Sequence, residues 1–194
     1  MPKINMIGIG CILLCAVLLI GRYGCMSMKE LNSDRDLLRV ITIYNNAGLA
    51  VENIEGLTKL IAPINRYLKK YFPKGEIDFY DMITLAYMES QYDQFAIGSH
   101  KEVGYFQILD WRGALKDIHK DNMNPFDPYV NVEMSLFVLR DKIIWQKGDI
   151  KMGVQCYNGL YSTDYLAKFI KIRKIFPANK YRSKTNQMIL VSAK

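Results

Sequence analysis

The sequence predicts an all-α globular domain preceded by a hydrophobic N-terminal segment. Half of the 194 residues are hydrophobic and 23% are charged, which is the composition of a globular protein rather than of a disordered or repetitive one. Apolar residues recur at helical spacing between residues that cap or stop helices. Only residues 188–191 have the composition of a strand, and the rest of the body contains no alternating pattern of useful length.

Residues 6–20 carry no charged or strongly polar side chain. At about 1.5 Å per residue, a helix over this run spans roughly 23 Å, which is shorter than the ~30 Å hydrocarbon core of a bilayer. We therefore expect residues 1–21 to be a signal peptide or a short membrane anchor. The absence of a small-x-small cleavage site after Ile20 favours retention, and lipidation at Cys25 stays open. We expect the remainder to be exported, either facing the periplasm from the inner membrane or secreted to the cell wall.

Six helices are predicted after a polar linker. They cover about residues 34–45, 57–71, 79–89, 131–146, 149–157 and 163–175. Ser33 or Asp34 can cap the first helix and Asp78 the third. Pro63 is expected to kink or interrupt the second helix, and Pro177 follows the last one.

Four regions follow from this pattern. They are the N-terminal segment 1–21, a linker with the first helix over 22–54, a helical body over 55–176 and a basic tail over 177–194.

The formal net charge of +7 is concentrated at the end of the chain. Residues 165–194 contain eight Lys or Arg and no Asp or Glu, and Lys168, Lys171, Arg173 and Lys174 belong to this group. A basic segment of this kind attracts polyanions such as anionic lipid or an acidic wall polymer. Nucleic acid is not an expected partner, because the body lacks a basic surface interleaved with aromatic residues.

The sequence contains no histidines and cysteines at the spacing typical of a metal site. The two histidines, His100 and His119, lie in polar stretches, and Cys11, Cys15 and Cys25 are clustered at the N-terminus. We expect no metal and no other cofactor. The fourth cysteine, Cys156, is expected to be a small buried residue.

The third predicted helix ends in a candidate general acid. Met82, Leu85 and Ala86 form one apolar face, and Glu89 projects from the same face because it follows Leu85 by four residues. Burial and the negative end of the helix dipole both raise the pKa of a carboxyl group placed there. A carboxylic acid protonated near neutral pH can act as a general acid. A glutamate turned to solvent is the alternative on this pattern alone.

Four short motifs occur in order after this helix. They are Glu89-Ser90, Gly104-Tyr105-Phe106-Gln107, Asn131-Val132 at a helix start, and Cys156-Tyr157-Asn158. This order resembles the soluble lytic transglycosylase family, which has a goose-type lysozyme-like fold, over about residues 55–176. The family has Leu-Met where Tyr105-Phe106 stands and alanine where Cys156 stands.

The resemblance implies a role for each matching residue. Glu89 would be the catalytic acid and base, and Ser90 would help to position the reacting sugar. Gln107 would line the glycan cleft with Tyr105 at its wall, and Tyr157 and Asn158 would lie opposite the glutamate.

The implied reaction cleaves the β-1,4 bond between N-acetylmuramic acid and N-acetylglucosamine in peptidoglycan, leaving a 1,6-anhydro end. Two alternatives stay open: a hydrolytic muramidase with Asp93 or Asp110 as the base, and a catalytically silent glycan-binding or assembly protein. The expected partners are peptidoglycan strands and a membrane. The sequence leaves open whether the protein works in a larger envelope-spanning or phage assembly.

Overall fold

A computed structural model describes residues 28–159 and 163–178. The predicted anchor over 1–21, and the part of the basic tail from residue 179 onward, lie outside the described residues. The chain divides into two compact units, residues 1–51 and residues 52–194. The predicted helical body lies within the second unit.

The described residues form seven helices. These are α1 (Met28–Asn46), α2 (Ile54–Tyr71), α3 (Phe79–Ser90), α4 (Trp111–Asp117), α5 (Pro128–Trp145), α6 (Ile150–Tyr157) and α7 (Thr163–Arg173). No strand occurs in these ranges, although two isolated antiparallel bridges pair Val103 with Ile97 and with Ile108 in the loop after α3. The all-α prediction is confirmed. None of the helices in the described part of the chain is both long enough and apolar enough to cross a bilayer.

Three helices start earlier than predicted. α2 begins at Ile54 rather than at about residue 57, with Asn53 as its cap. α1 begins at Met28, so Ser33 and Asp34 lie inside the helix, and the prediction that one of them caps it was wrong. The helix extends towards the N-terminus because lysine, glutamate and leucine at 29–31 are good helix formers. α5 begins at Pro128 because the Asp127 carboxylate caps it, accepting hydrogen bonds from two backbone N–H groups at 2.9 and 3.1 Å.

Two further differences from the prediction concern the middle of α2 and the presence of α4. α2 runs through Pro63 as one helix, so the expected interruption does not occur. Pro63, Leu60 and Ile64 are all buried, and packing of this face offsets the backbone hydrogen bond that proline cannot make. The seven-residue α4 was not predicted, since its sequence is too short to establish a helical period.

Two buried helices organise the second unit. α5 lies at its centre, in contact with α2, α4 and α6. Residues 81–86 of α3 are buried all round, and Met82, Leu85 and Ala86 are fully inaccessible. The apolar face expected before Glu89 is therefore present, and it places the C-terminal end of α3 at the edge of the core.

An ion-paired clamp holds α3 to α7. Asp78 and Asp81 form a capping box at the start of α3. The buried Arg173 guanidinium bonds both carboxylates, with Nε 2.8 Å from Asp81 Oδ1 and Nη2 2.7 Å from Asp78 Oδ2. The sequence analysis counted Arg173 among eight cations after residue 164 that have no acidic residue to balance them, and for Arg173 this was wrong, because Asp78 and Asp81 neutralise its charge inside the fold. The same clamp fixes α7 beside the helix that carries Glu89.

Candidate active site

Glu89 lies in the last turn of α3, at the wall of a cavity of about 500 Å³. The helix ends one residue later, at Ser90, because Gln91 adopts a left-handed conformation with φ 53°. The side chain is largely withdrawn from solvent, yet it remains part of the cavity lining. Gln107, Tyr157 and Asn158 line the same cavity. The structure therefore brings together four of the residues that the sequence indicated.

Tyr165 of α7 contacts Glu89 directly. Its buried hydroxyl donates a hydrogen bond to Glu89 Oε1. Sequence reasoning missed this residue, because 76 positions separate the two partners and Tyr165 stands in no motif that was recognised. Burial and the neighbouring Glu89 carboxylate raise the pKa of Tyr165 well above its ordinary value. Tyr165 therefore stays a neutral donor whatever the charge of Glu89.

The surroundings of Glu89 raise its pKa from 4.5 to about 7. Burial is the largest cause, since the charged form loses water. The hydrogen bond from Tyr165 and the positive charge of Lys168 lower the pKa, while the charge of Glu102 raises it. Glu89 thus has a protonation equilibrium near neutral pH, and it can both give and take a proton there.

Tyr157 is held at the wall of the cavity by two hydrogen bonds. Its hydroxyl donates to the Phe106 carbonyl oxygen at 3.2 Å and lies 2.9 Å from Ser135 Oγ. Burial, followed by the nearby Glu89 charge, raises its pKa above the ordinary range. Tyr157 connects the end of α6 to the loop between α3 and α4. Asn158 follows it as the C-terminal cap residue of α6.

Gln107 has a conformation that fixes the loop around the cavity. Its backbone is left-handed, with φ 47°. Its side-chain Nε2 donates to the carbonyl oxygens of Ala96 at 3.2 Å and Gly104 at 2.9 Å. Both amide hydrogens are therefore used within the protein, and the side-chain oxygen Oε1 is the group left to accept a bond from a ligand.

Asn131 anchors the same loop from α5. Its Oδ1 accepts from the Phe106 backbone N–H at 3.2 Å, and its Nδ2 donates to the carbonyl oxygens of Val103 and Pro125. Gly104 has φ 74°, and a Cβ placed there would lie 2.5 Å from Asn131 Nδ2. Only glycine fits this contact. The motif asparagine thus supports the cavity wall from behind.

Ser90 and Tyr105 lie behind the cavity rather than in its lining. Ser90 Oγ donates to the Tyr105 carbonyl oxygen at 2.9 Å and to the Ala86 carbonyl at 3.3 Å. The Tyr105 side chain is fully buried, and its hydroxyl lies 3.5 Å from Gln94 Oε1. In this structure Ser90 ties the end of α3 to the loop, and Tyr105 packs in the core.

Further carboxylates line the cavity, and sequence reasoning had weighed only one of them. Asp110 lies there, although one of its oxygens accepts the Gly113 N–H as the cap of α4. Asp93, the other base considered, lies outside this lining and accepts from the Phe95 N–H at 2.8 Å. The remaining acidic side chains of the lining are Glu102, Asp117 and Asp141.

Cys156 is buried, as expected. In the described ranges, no group of three or more His, Cys, Asp or Glu side chains is arranged to hold a metal ion. Comparisons of the chain with protein-family models, with curated proteins and with solved structures found no match.

Proposed function

We propose that the chain is a peptidoglycan lytic transglycosylase with a lysozyme-like catalytic domain. The observation that carries the proposal is the carboxyl group of Glu89, whose pKa is raised to about 7 at the wall of a cavity. Gln107, Tyr157 and Asn158 share that cavity. These residues belong to three of the four motifs, and all four motifs occur in the order typical of the family.

Glu89 would act twice in the reaction. In its protonated form it donates the proton to the glycosidic oxygen between N-acetylmuramic acid and N-acetylglucosamine, and that bond breaks. The resulting carboxylate then removes the proton from the 6-hydroxyl of the muramic acid, whose oxygen bonds to the anomeric carbon. The products are a free 4-hydroxyl on the departing sugar and a 1,6-anhydro end, and Glu89 is again protonated. No water is consumed.

Tyr165 would support the step between the two proton transfers. Its hydroxyl donates to Glu89 Oε1, and a hydrogen bond to an ionised carboxylate is stronger than one to its neutral form. The bond therefore stabilises the carboxylate that exists after the glycosidic oxygen has been protonated. Tyr165 is a positioning residue in this scheme, since it acts through Glu89.

A hydrolytic muramidase is the second candidate, and Asp110 favours it. A second carboxylate in the same cavity could activate a water molecule, as the base of an inverting glycosidase does. One oxygen of Asp110 already accepts a hydrogen bond from Gly113 N as the cap of α4, so only the other oxygen is left to hold a water molecule. A silent glycan-binding protein would have no use for a buried carboxyl group, which costs stability at neutral pH.

The proposal includes an exported enzyme held at the membrane through residues 6–20, with peptidoglycan as its substrate. A reporter fused to the C-terminus tests the orientation: activity of a periplasmic reporter is expected, and activity of a cytoplasmic reporter alone would contradict it. The outcome is not assured in advance, because Arg22 lies just after the apolar run and positively charged residues beside a membrane segment favour the cytoplasmic side.

Replacement of the acid tests the catalytic assignment. Glu89→Gln should lower the rate of sacculus digestion by at least ~100-fold, the lower end of general-acid contributions. Thermal melting of both proteins must confirm that the variant is folded. Digestion within threefold of wild type would show that Glu89 is not the acid.

A further inference from the structure

A row of cations stacked on tyrosines lies on α2 and α5 and includes Lys120, which follows α4. The cationic side chains are Arg66, Lys70, Lys120 and Arg140, and the rings are those of Tyr67, Tyr71 and Tyr129; together we name them the cationic strip. The distances from cation to ring centroid lie between 5.0 and 5.9 Å. Contacts of this length are attractive, and they hold the charged groups over rigid surfaces.

The strip carries more positive charge than the one carboxylate paired with it can neutralise. Glu133 is buried and pairs with Lys70 at 2.5 Å and Lys120 at 2.6 Å. In the described part of the chain, Arg66 and Arg140 form no ion pair, and Arg140 Nε is buried without a hydrogen-bond partner. Four cations thus share one carboxylate, and two guanidinium groups remain available to an anion.

The strip begins at the wall of the cavity. Phe137 lines the cavity, and Arg140 Cζ lies 5.5 Å from its ring and 5.1 Å from the ring of Tyr71. From Tyr71 the row continues through the adjacent α2 side chains to the exposed Arg66. A ligand that leaves the cavity past Phe137 therefore meets the cationic strip next.

The charge of the cavity itself has the opposite sign. Besides Glu89 its lining contains Glu102, Asp110, Asp117 and Asp141, against one cation, Lys142. An anionic group is repelled there, whereas an uncharged sugar is not. A polymer with a neutral glycan and carboxylate branches would therefore place its glycan in the cavity and its branches along the strip.

We propose that the cationic strip binds the carboxylates of the peptide stems that extend from the glycan held in the cavity. The proposal rests on the proposed function, because stems of this kind belong to peptidoglycan. Arg66 and Arg140 are the residues suited to the contact, since a guanidinium stacked on an aromatic ring still presents a planar edge that matches a carboxylate.

Binding measurements can test the strip without any turnover. All proteins carry Glu89→Gln, so that the glycan stays intact. Two substrates are compared: sacculi freed of phosphate polymers, and glycan strands from which an amidase has removed the stems. The variants are Arg66→Gln alone and Arg66→Gln with Arg140→Gln. The charge-matched control is Lys116→Gln with Lys147→Gln, which removes two exposed cations that belong neither to the strip nor to the cavity lining.

The double strip variant should bind stem-bearing sacculi about fivefold more weakly at low salt, as expected for exposed ion pairs. Its affinity for stem-free glycan should change by less than twofold, and the control should change by less than twofold on both substrates. At ~1 M salt, where the Debye length is about 3 Å, the difference should disappear. Arg66→Gln alone, at an exposed position, should have a smaller effect in the same direction.

An equal loss on both substrates, no loss on either, or a loss that persists at high salt would overturn the proposal. Failure of the proposed function has a different signature. Protein without the Glu89 substitution would then leave sacculi uncut or release reducing ends, while the binding comparison would still report on the strip.

Discussion

Replacement of Glu89 by glutamine should stabilise the protein at high pH and leave its stability unchanged at low pH. The pKa of Glu89 is about 7 in the folded protein against 4.5 ordinarily. Between these values the unfolded chain has released the proton that the folded chain retains. The unfolded state therefore binds fewer protons, and the free energy of unfolding falls as the pH rises through this window.

The magnitude follows from the size of the shift. One pKa unit corresponds to about 1.36 kcal/mol, so the shift in Glu89 costs about 3 kcal/mol above pH 7. Glutamine cannot ionise, and its amide oxygen can still accept the hydrogen bond from Tyr165. Urea unfolding of wild type and Glu89→Gln at pH 4 and pH 8 should thus give a difference in stability that grows by about 3 kcal/mol with pH.

Glu102→Gln provides a control of the opposite sign. Burial acts to raise the pKa of Glu102. Hydrogen bonds from the backbone N–H groups of Glu102 and His100 and the charge of the His100 ring act in the opposite direction, and together they leave the pKa of Glu102 below its ordinary value. Its carboxylate stabilises the fold above the unfolded pKa, and that stabilisation is lost as the pH falls. Glu102→Gln should therefore cost stability at pH 8 and not below pH 4. If Glu89→Gln raises the free energy of unfolding equally at pH 4 and pH 8, or at neither, Glu89 does not have the raised pKa of a buried acid.

Three further outcomes are expected. Tyr165→Phe removes a hydrogen bond that lowers the pKa of Glu89, so the pH profile of activity should move to higher pH; an unmoved profile would contradict that role. Gly56→Ala places a Cβ 1.9 Å from the Tyr92 backbone oxygen and should lower stability by about 1–3 kcal/mol, and an unchanged melting temperature would mean that this contact is not as close. Arg173→Met leaves two carboxylates of α3 without their cation and should cost about 3–5 kcal/mol in urea unfolding, whereas a loss below ~1 kcal/mol would place that arginine in solvent.

Local signals explain why α3 and its acid could be predicted. The Asp78 cap and the apolar positions before Glu89 are close together in sequence. Hydrophobic spacing and capping therefore indicated both the helix and the buried end that Glu89 occupies. Residues brought together by the fold had no such signal. Tyr165 reaches Glu89 across 76 positions, and no pattern in the chain connects them.

The charge count along the chain did not predict the buried ion pairs of Arg173, for a related reason. It stands among exposed lysines in the sequence, whereas its ion-pair partners lie 92 and 95 positions earlier. The cationic strip was likewise not visible, because Arg66 and Arg140 come from different helices and their common surface exists only after α2 packs against α5. Sequence period predicts which residues share one helix face, and it does not predict which faces meet.

The mass of the cut ends tests the central claim most directly. The soluble fragments that the protein releases from purified sacculi, analysed without further glycan cleavage, should have N-acetylmuramic acid ends one water molecule lighter than a reducing end, because the sugar's own 6-hydroxyl has closed the ring. Glu89→Gln, assayed in parallel, should yield none. Fragments that end in reducing N-acetylmuramic acid would contradict the transglycosylase and favour hydrolysis with Asp110 as the base.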